Sequence, residues 1–310
     1  MHAAVVADFT RPPQYAEFAE PTASPGHEVV AVEAAAVHRI VRSIAAGAHY
    51  SSEGVLPLVP GVDGVVRLED GTRVYTGGVD EPFGMLAERA APTDRLRVPV
   101  PDGLDSATAA AIVNPAMSGW APLLRVLPPG GTVLVLGATG VSGGLAVRAA
   151  KLLGAGRVVA AGRDRARIDA TAGLGADALV PLGTGGAGAA LHEAAGAFDV
   201  VLDYLWGAPA LDVMTAIARS RPDPERPVQW VQIGATAGSD LPLPSAVLRQ
   251  APIRLSGSGI GSVRSADLLT TVAQVLAAAA RGELTIDATE HPLRDVAATW
   301  DDPGRLVYRP

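Results

Sequence analysis

The chain has 310 residues, of which 48% are apolar, and a formal net charge of −7. It contains no cysteine, which excludes disulfides and thiolate metal sites. It has no basic stripe of the kind that binds nucleic acid, and no apolar run long enough to span a bilayer. No segment reads as an export signal, so we expect a cytoplasmic protein, and the length favours two domains.

The N-terminal part of the chain is predicted to be β-rich. Pro, Gly and Asp separate its short β-prone runs, which are Ala3–Val6, Glu28–Ala34, Val62–Leu68 and Thr72–Tyr75. A short helix is predicted at Asp105–Ala111.

From Gly131 onwards, strands and helices alternate. The predicted strands are Thr132–Leu136, Arg157–Ala161, Ala178–Val180, Asp199–Asp203, Val228–Gly234 and Ile253–Gly257. The predicted helices are Ser142–Leu153, Ala166–Leu174, Ala187–Ala195, Ala208–Ala218 and Ser265–Arg281. The tail holds two short predicted strands, Thr285–Ala288 and Leu306–Tyr308. This alternation predicts an α/β fold with a doubly wound parallel sheet.

The strand Thr132–Leu136 runs directly into a glycine-rich turn. Glycines recur there at every third position, and a helical pattern follows. Glycines permit a tight turn and close backbone approach, and the start of the helix offers free N–H groups to an anion. A GxxGxxG pattern alone is weak, but its place between a strand and a helix favours a bound dinucleotide. The residues expected to contact its pyrophosphate are Gly137, Ala138, Thr139, Gly140, Val141, Ser142 and Gly143.

Two other glycine patterns allow different interpretations. Ser142 lies in a GxSxG sequence, which is typical of a hydrolase nucleophile. In such enzymes the serine sits directly at the end of the strand, whereas Ser142 falls in the first turn of the predicted helix. The second pattern, Gly257-Ser-Gly259-Ile-Gly261, leaves too little chain for another nucleotide-binding half, so we expect a loop near the cofactor or a subunit contact.

The end of the second strand indicates which dinucleotide binds. Gly162 is followed by Arg163, and Arg167 lies one helical turn later. An acidic residue at this point is typical of NAD sites, whereas arginine suits the 2′-phosphate of NADP. Asp164 keeps NADH possible, but the two arginines favour NADPH.

Taken in order, segments on both sides of this turn resemble the medium-chain dehydrogenase/reductase superfamily, and most of all its zinc-free NADPH:quinone oxidoreductase-like branch. The segments that carry the resemblance are Met1–Val6, Glu33–Val37, Gly47–Tyr50, Pro60–Gly64, Asp70–Tyr75, Leu174–Asp177, Phe198–Asp203, Gln232–Gly234 and Gly304–Val307. The resemblance implies a GroES-like β-rich catalytic domain at residues 1–113 and a Rossmann domain at 114–247. It also implies that residues 248–310 hold the last Rossmann strand or strands and a return to the catalytic domain, and that the active site lies in a cleft between the domains.

The resemblance also implies site residues. His38, Tyr50 and Asn114 are the candidates for polarising the acceptor or donating a proton. Asp203, Tyr204, Ile233, Gly234 and Ala235 follow two Rossmann strands and are expected beside the cofactor. The zinc-dependent relatives carry thiolate ligands that are absent here. His38, Asp63 and Asn114 remain as possible ligands, but we expect no catalytic metal.

The leading hypothesis is therefore a zinc-independent enzyme that uses NADPH to reduce a quinone, an enone or another activated carbonyl, and that works as a homodimer. The alternative is a catalytically weak NADP(H)-binding protein of the same fold with a structural or regulatory role. The expected partner is a small-molecule substrate, and neither nucleic acid nor a membrane is expected. The Rossmann edge strand Ile253–Gly257 is the expected dimer contact.

Overall fold

The computed structural model describes residues 1–49, 52–183, 191, 198–220, 223–259 and 261–310. These residues form two compact units. Unit 1 comprises Met1–Asn114 and Ser265–Pro310, and unit 2 comprises Pro115–Arg264. The predicted helix Ala187–Ala195, apart from Leu191, lies outside the described residues. In the described ranges, no helix combines the length and apolar character needed to cross a membrane.

In chain order the strands are β1 (His2–Val5), β2 (Gln14–Glu17), β3 (Val30–Ala36), β4 (Asp63–Arg67), β5 (Arg73–Gly77), β6 (Arg89–Ala90), β7 (Arg97–Pro99), β8 (Thr132–Leu136), β9 (Arg157–Gly162), β10 (Ala178–Pro181), β11 (Val200–Asp203), β12 (Val228–Gln232), β13 (Ile253–Gly257), β14 (Thr289–Pro292) and β15 (Leu306–Arg309). The helices are α1 (Arg39–Ala45), α2 (Ser106–Val126), α3 (Val141–Leu152), α4 (Arg165–Ala170), α5 (Gly207–Arg219), α6 (Ser245–Gln250), α7 (Ser265–Ala280) and α8 (Val296–Thr299). Single turns of 3-10 helix occur at Thr171–Leu174 and Leu293–Asp295.

Unit 1 is built on a sheet in which β14, β15, β3, β4, β5 and β7 are neighbours in that order, with β6 beside β3. The tail returns to this sheet, where Tyr308 of β15 pairs antiparallel with Ala35 of β3. The predicted strand at Leu306–Tyr308 is confirmed. The strand predicted at Thr285–Ala288 is wrong, because the pairing with β15 begins only at Thr289, opposite Leu306. That pairing depends on a partner distant in sequence, which a local pattern does not show.

Helix α2 is much longer than the short helix predicted at Asp105–Ala111. It runs through two internal prolines, Pro115 and Pro122. Each proline removes a backbone donor and normally ends a helix. Here burial of the apolar face outweighs that loss, since Ile112, Val113 and Leu123 are at most 1% exposed. The boundary between the two units lies within this helix, after Asn114.

Unit 2 has a sheet of six strands in the order β10, β9, β8, β11, β12, β13, and every neighbouring pair is parallel. Numbered from the first strand of the unit, this order is 3-2-1-4-5-6, the Rossmann arrangement. The doubly wound parallel sheet predicted from the alternating pattern is thus confirmed. The strand order reverses between β8 and β11, and ligands of such sheets bind outside the carboxyl ends of the strands at this point.

Candidate cofactor and active site

The glycine turn joins β8 to α3 at the point of reversal. Gly137 has a φ of +88° and Gly140 is the exposed N-cap of the helix. A Cβ atom on Gly143 would overlap the carbonyl oxygen of Gly137, so only glycine allows the helix to pack this closely. The first N–H groups of α3, from Val141 onwards, have no acceptor earlier in the helix and are available to an anion. This turn fits the pyrophosphate of a dinucleotide.

The other predicted turn residues support this geometry. The backbone N–H groups of Gly137 and Ala138 both donate to the Ala161 carbonyl, at 2.9 and 3.0 Å. Thr139 packs over β9 where Gly162 has no side chain, since a Cβ on Gly162 would lie 2.6 Å from the Thr139 methyl group. The end of β9 therefore lies against the turn.

Ser142 lies in the first turn of α3. The residue directly after the strand, which has the positive φ, is Gly137. A hydrolase nucleophile would occupy the strained position itself. The geometry therefore does not favour the hydrolase interpretation.

The basic residues after β9 lie at an exposed helix start. Asp164 caps α4 by accepting from the Arg167 N–H at 3.1 Å, which points its carboxylate into the helix. Arg165 pairs with Asp169 at 3.2 Å. Within the described part of the chain, Arg163 and Arg167 form no ion pair, and both side chains are exposed. These two guanidinium groups are available to a phosphate.

The end of β11 is held by Asp203, which is fully buried. One carboxylate oxygen accepts from the N–H groups of Leu205 and Trp206, at 2.8 and 2.9 Å. The other oxygen accepts from the Trp230 indole N–H at 3.1 Å. Burial raises the pKa of Asp203, although these donors oppose the shift. Asp203 was predicted beside the cofactor, and the structure shows its carboxylate engaged with the protein itself.

The neighbouring Tyr204 is buried, and its hydroxyl lies 3.0 Å from that of Ser118. Burial raises the pKa of Tyr204 well above its ordinary value, so its side chain is a neutral hydroxyl near neutral pH. The segment after β12 packs against this position. Ile233 and Gly234 donate to the Asp203 carbonyl at 2.8 and 3.1 Å, whereas Ala235 is exposed.

In unit 1 the structure brings together two of the three predicted catalytic residues around Asp63. The His38 Nε2 atom lies 2.9 Å from Asp63 Oδ1, and the Asn114 amide donates to Asp63 Oδ2 at 2.5 Å. His38 and Asp63 are 2% and 5% exposed, while Asn114 is partly exposed. Tyr50, the third candidate, lies outside the described residues.

Arg305 determines the protonation of His38. Its guanidinium donates to His38 Nδ1 at 2.7 Å and to the Val37 carbonyl at 3.1 Å. Because a guanidinium only donates, Nδ1 must be the acceptor, and the ring proton must lie on Nε2, facing Asp63. His38 is therefore a neutral imidazole with both nitrogens engaged, and this geometry does not support the direct proton donation considered from the sequence.

The same tautomer bears on metal binding. A protonated Nε2 has no lone pair to offer, so the His38, Asp63 and Asn114 set does not fit a zinc ion. Among the described residues, no three His, Cys, Asp or Glu side chains come together as a metal site.

Two members of this cluster were not predicted from the sequence. Arg305 is partly buried, and its burial lowers its pKa. Tyr75 is almost fully buried, and both its burial and the negative charge of nearby Asp63 raise its pKa. Both residues lie in segments that carry the family resemblance. Their proximity to Asp63 arises only when β5 and β15 join the sheet of unit 1.

We expect Asp63→Ala to lower the free energy of unfolding by about 3–5 kcal/mol, because it leaves the His38 and Asn114 donors without their acceptor and removes the negative charge near Arg305. Urea unfolding followed by circular dichroism measures this change. The matched control is Asp169→Ala at the exposed pair with Arg165, for which we expect a loss below about 1 kcal/mol. Equal midpoints for Asp63→Ala and wild type would contradict the role given to this network.

Comparison with known proteins agrees with the geometry. No protein-family model matches the chain. A curated protein of Emericella nidulans, a probable NADPH-dependent quinone reductase, is 29% identical over 348 aligned residues, which cover 97% of each chain. The solved quinone oxidoreductase of Thermus thermophilus, also determined with NADPH, is 26% identical over 100% of both chains, with a TM-score of 0.81.

A mycobacterial quinone oxidoreductase has the same fold, with a TM-score of 0.85 and 22% identity over 100% of both chains. The fold, the order of the strands and the full-length relatives agree with one another. Over nearly its whole length the chain is similar to quinone oxidoreductases, in line with the resemblance to the zinc-free branch of the medium-chain dehydrogenase/reductase superfamily.

Proposed function

We propose that the chain is an oxidoreductase that uses NADPH to reduce a quinone, an enone or another activated carbonyl. The observation that carries this proposal is the dinucleotide-binding turn, with left-handed Gly137, exposed Gly140 and close-packed Gly143 at the reversal of strand order. The names of the curated relative and of the Thermus structure support the same cofactor and acceptor class.

Bound NADPH supplies the hydride, and the protein holds and orients the reactants. Residues 137–143 hold the pyrophosphate, and Arg163 with Arg167 holds the 2′-phosphate. Asn114 is the group we assign to the acceptor. One N–H of the Asn114 amide donates a hydrogen bond to Asp63. The side chain is partly exposed, and its second N–H remains to polarise a carbonyl.

His38 acts in this proposal through Asp63, as a positioning residue. Tyr50 stays a proposed hydrogen-bond donor on the strength of the family resemblance alone. No step of this proposal is assigned to a metal, and the His38 tautomer does not suit a zinc ligand.

The proposal is tested by mixing purified protein with NADPH and a panel of benzoquinones, naphthoquinones and enones, and following the loss of NADPH absorbance. We expect turnover with at least one class of acceptor. A parallel calorimetric titration with NADPH separates the alternatives. Binding without turnover on the whole panel would favour the catalytically weak binding protein, and no binding would exclude both.

In the same assay we expect Asn114→Ala to lower kcat by about tenfold or more while the KM for NADPH changes little, since one polarising donor is lost. Thr108→Ala, at another partly buried position of α2, is the control for disturbance of the helix. Equal loss in both variants would remove Asn114 from its assigned role.

Cofactor preference is tested at the exposed arginines. Arg163→Ala should raise the KM for NADPH by about tenfold, which corresponds to the loss of one charge-assisted hydrogen bond. The KM for NADH should rise less than about twofold, because NADH has no 2′-phosphate. Arg165→Ala is the matched control, because Arg165 is paired with Asp169. If Arg163→Ala changes both constants equally, the assignment of the 2′-phosphate to this residue is wrong.

We also propose that two copies pair through β13. This strand forms an edge of the unit 2 sheet, and its Leu255 side chain is 45% exposed. An open edge with an exposed apolar side chain can pair with another chain. A cytoplasmic location is a further proposal, since an enzyme that consumes NADPH needs a compartment that regenerates it, and cell fractionation tests it.

We expect light scattering to give the mass of a dimer for the wild type and of a monomer for Leu255→Lys, since charge on an edge opposes pairing. Leu152→Lys is the control, because Leu152 is also exposed but lies on α3. A monomeric wild type would end this proposal.

A further inference from the structure

Trp206 has a backbone conformation that residues other than glycine rarely adopt. Its φ is 56° and its ψ is −165°, and it is the one non-glycine residue with a positive φ in the described part of the chain. This conformation lies at the edge of a region that only glycine occupies readily. A large aromatic residue persists there only if its surroundings hold it in place.

Contacts on two sides hold Trp206 in this conformation. Asp203 accepts from the Trp206 N–H at 2.9 Å, and the Trp230 indole anchors the other oxygen of this carboxylate. On the opposite side Gly207 is pressed against the segment after β12, where a Cβ on Gly207 would lie 2.8 Å from the Ala237 carbonyl oxygen. Ala237 also donates to the Leu205 carbonyl at 2.8 Å. The strain is therefore maintained by several independent contacts.

Trp206 lies at the edge of the sheet where dinucleotides bind in this fold. Trp206 follows β11 at its carboxyl end, and β11 is the neighbour of β8 at the reversal of strand order. A dinucleotide spans this reversal, with its adenosine ribose at the end of the second strand, here β9. The nicotinamide half then extends to the other side, over the ends of β11 and β12. Trp206 is partly buried and packs against the apolar core of unit 2, so part of the residue remains exposed.

We propose that Trp206 contacts the nicotinamide half of the bound dinucleotide, and that Asp203 is the positioning residue that holds Trp206 in its strained conformation. This inference rests on the proposed function. Asp203 then contributes to cofactor binding through the backbone of residues 205 and 206, because both of its oxygens are engaged with the protein. The ring of Trp206 supplies a flat apolar face, which suits a planar heterocycle.

The test compares two ligands by calorimetry: NADPH, and 2′,5′-ADP, which is the adenosine half alone. In Trp206→Gly the backbone conformation becomes favourable while the indole is lost. We expect the Kd for NADPH to rise about 3- to 10-fold, as the loss of one aromatic contact predicts. The Kd for 2′,5′-ADP should stay within about twofold, which also reports that unit 2 is folded. Trp206→Phe keeps an aromatic ring and should lose less NADPH affinity than Trp206→Gly.

Asp203→Ala tests the positioning role. We expect it to weaken NADPH binding and spare 2′,5′-ADP, and the double variant with Trp206→Gly should bind NADPH no more weakly than the weaker single variant. Additive losses would mean that Asp203 acts independently of Trp206, which overturns its positioning role.

Other outcomes separate the inference from the proposed function. If wild type binds no NADPH, the proposed function fails and the inference falls with it. If wild type binds NADPH and Trp206→Gly binds it equally well, the inference alone is overturned. Equal weakening of NADPH and 2′,5′-ADP also overturns it, because the indole would then support the unit as a whole and not the nicotinamide half.

Discussion

Helix α3 and strand β8 meet at a backbone contact that admits no side chain, and the proposed cofactor site depends on it. A Cβ on Gly143 would overlap the Gly137 carbonyl oxygen. Because the helix starts this close to the strand, its first N–H groups face the reversal of strand order between β8 and β11. The anion site, the position of the basic residues after β9 and the segment that contains Trp206 are all arranged around this start.

Each unit also contains a buried aspartate that orients its neighbours. Asp63 accepts from His38 and Asn114, whereas Asp203 accepts from the backbone of residues 205 and 206 and from the Trp230 indole. A buried carboxylate is costly unless donors surround it, and once surrounded it holds those donors rigidly. One aspartate therefore fixes a side chain proposed to face the acceptor, and the other fixes a strained turn proposed to lie beside the cofactor.

Several residues could be recognised from local patterns, because their structure is local. The β-branched run of β8, the glycine turn and the start of α3 follow one another in the chain, so their periodicity and spacing predicted both the fold and the anion site. Arg163 was predicted to contact the 2′-phosphate in the same way, from its position directly after a strand. By contrast, the extent of α2 could not be predicted, since Pro115 and Pro122 argue locally against a helix that burial stabilises.

The sequence by itself therefore determined the α/β architecture, the glycine turn and the basic residues expected to select NADPH, because short-range geometry dictates all three. Only the tertiary structure decided how the polar side chains are used. Arg305 reaches His38 across 267 residues and fixes its tautomer, so a residue that looked like a proton donor is held as a neutral hydrogen-bonded group. Asp203 looked like a cofactor ligand, but its carboxylate is engaged with Trp206 and Trp230. Such partners are brought together by folding alone, and no local spacing encodes them.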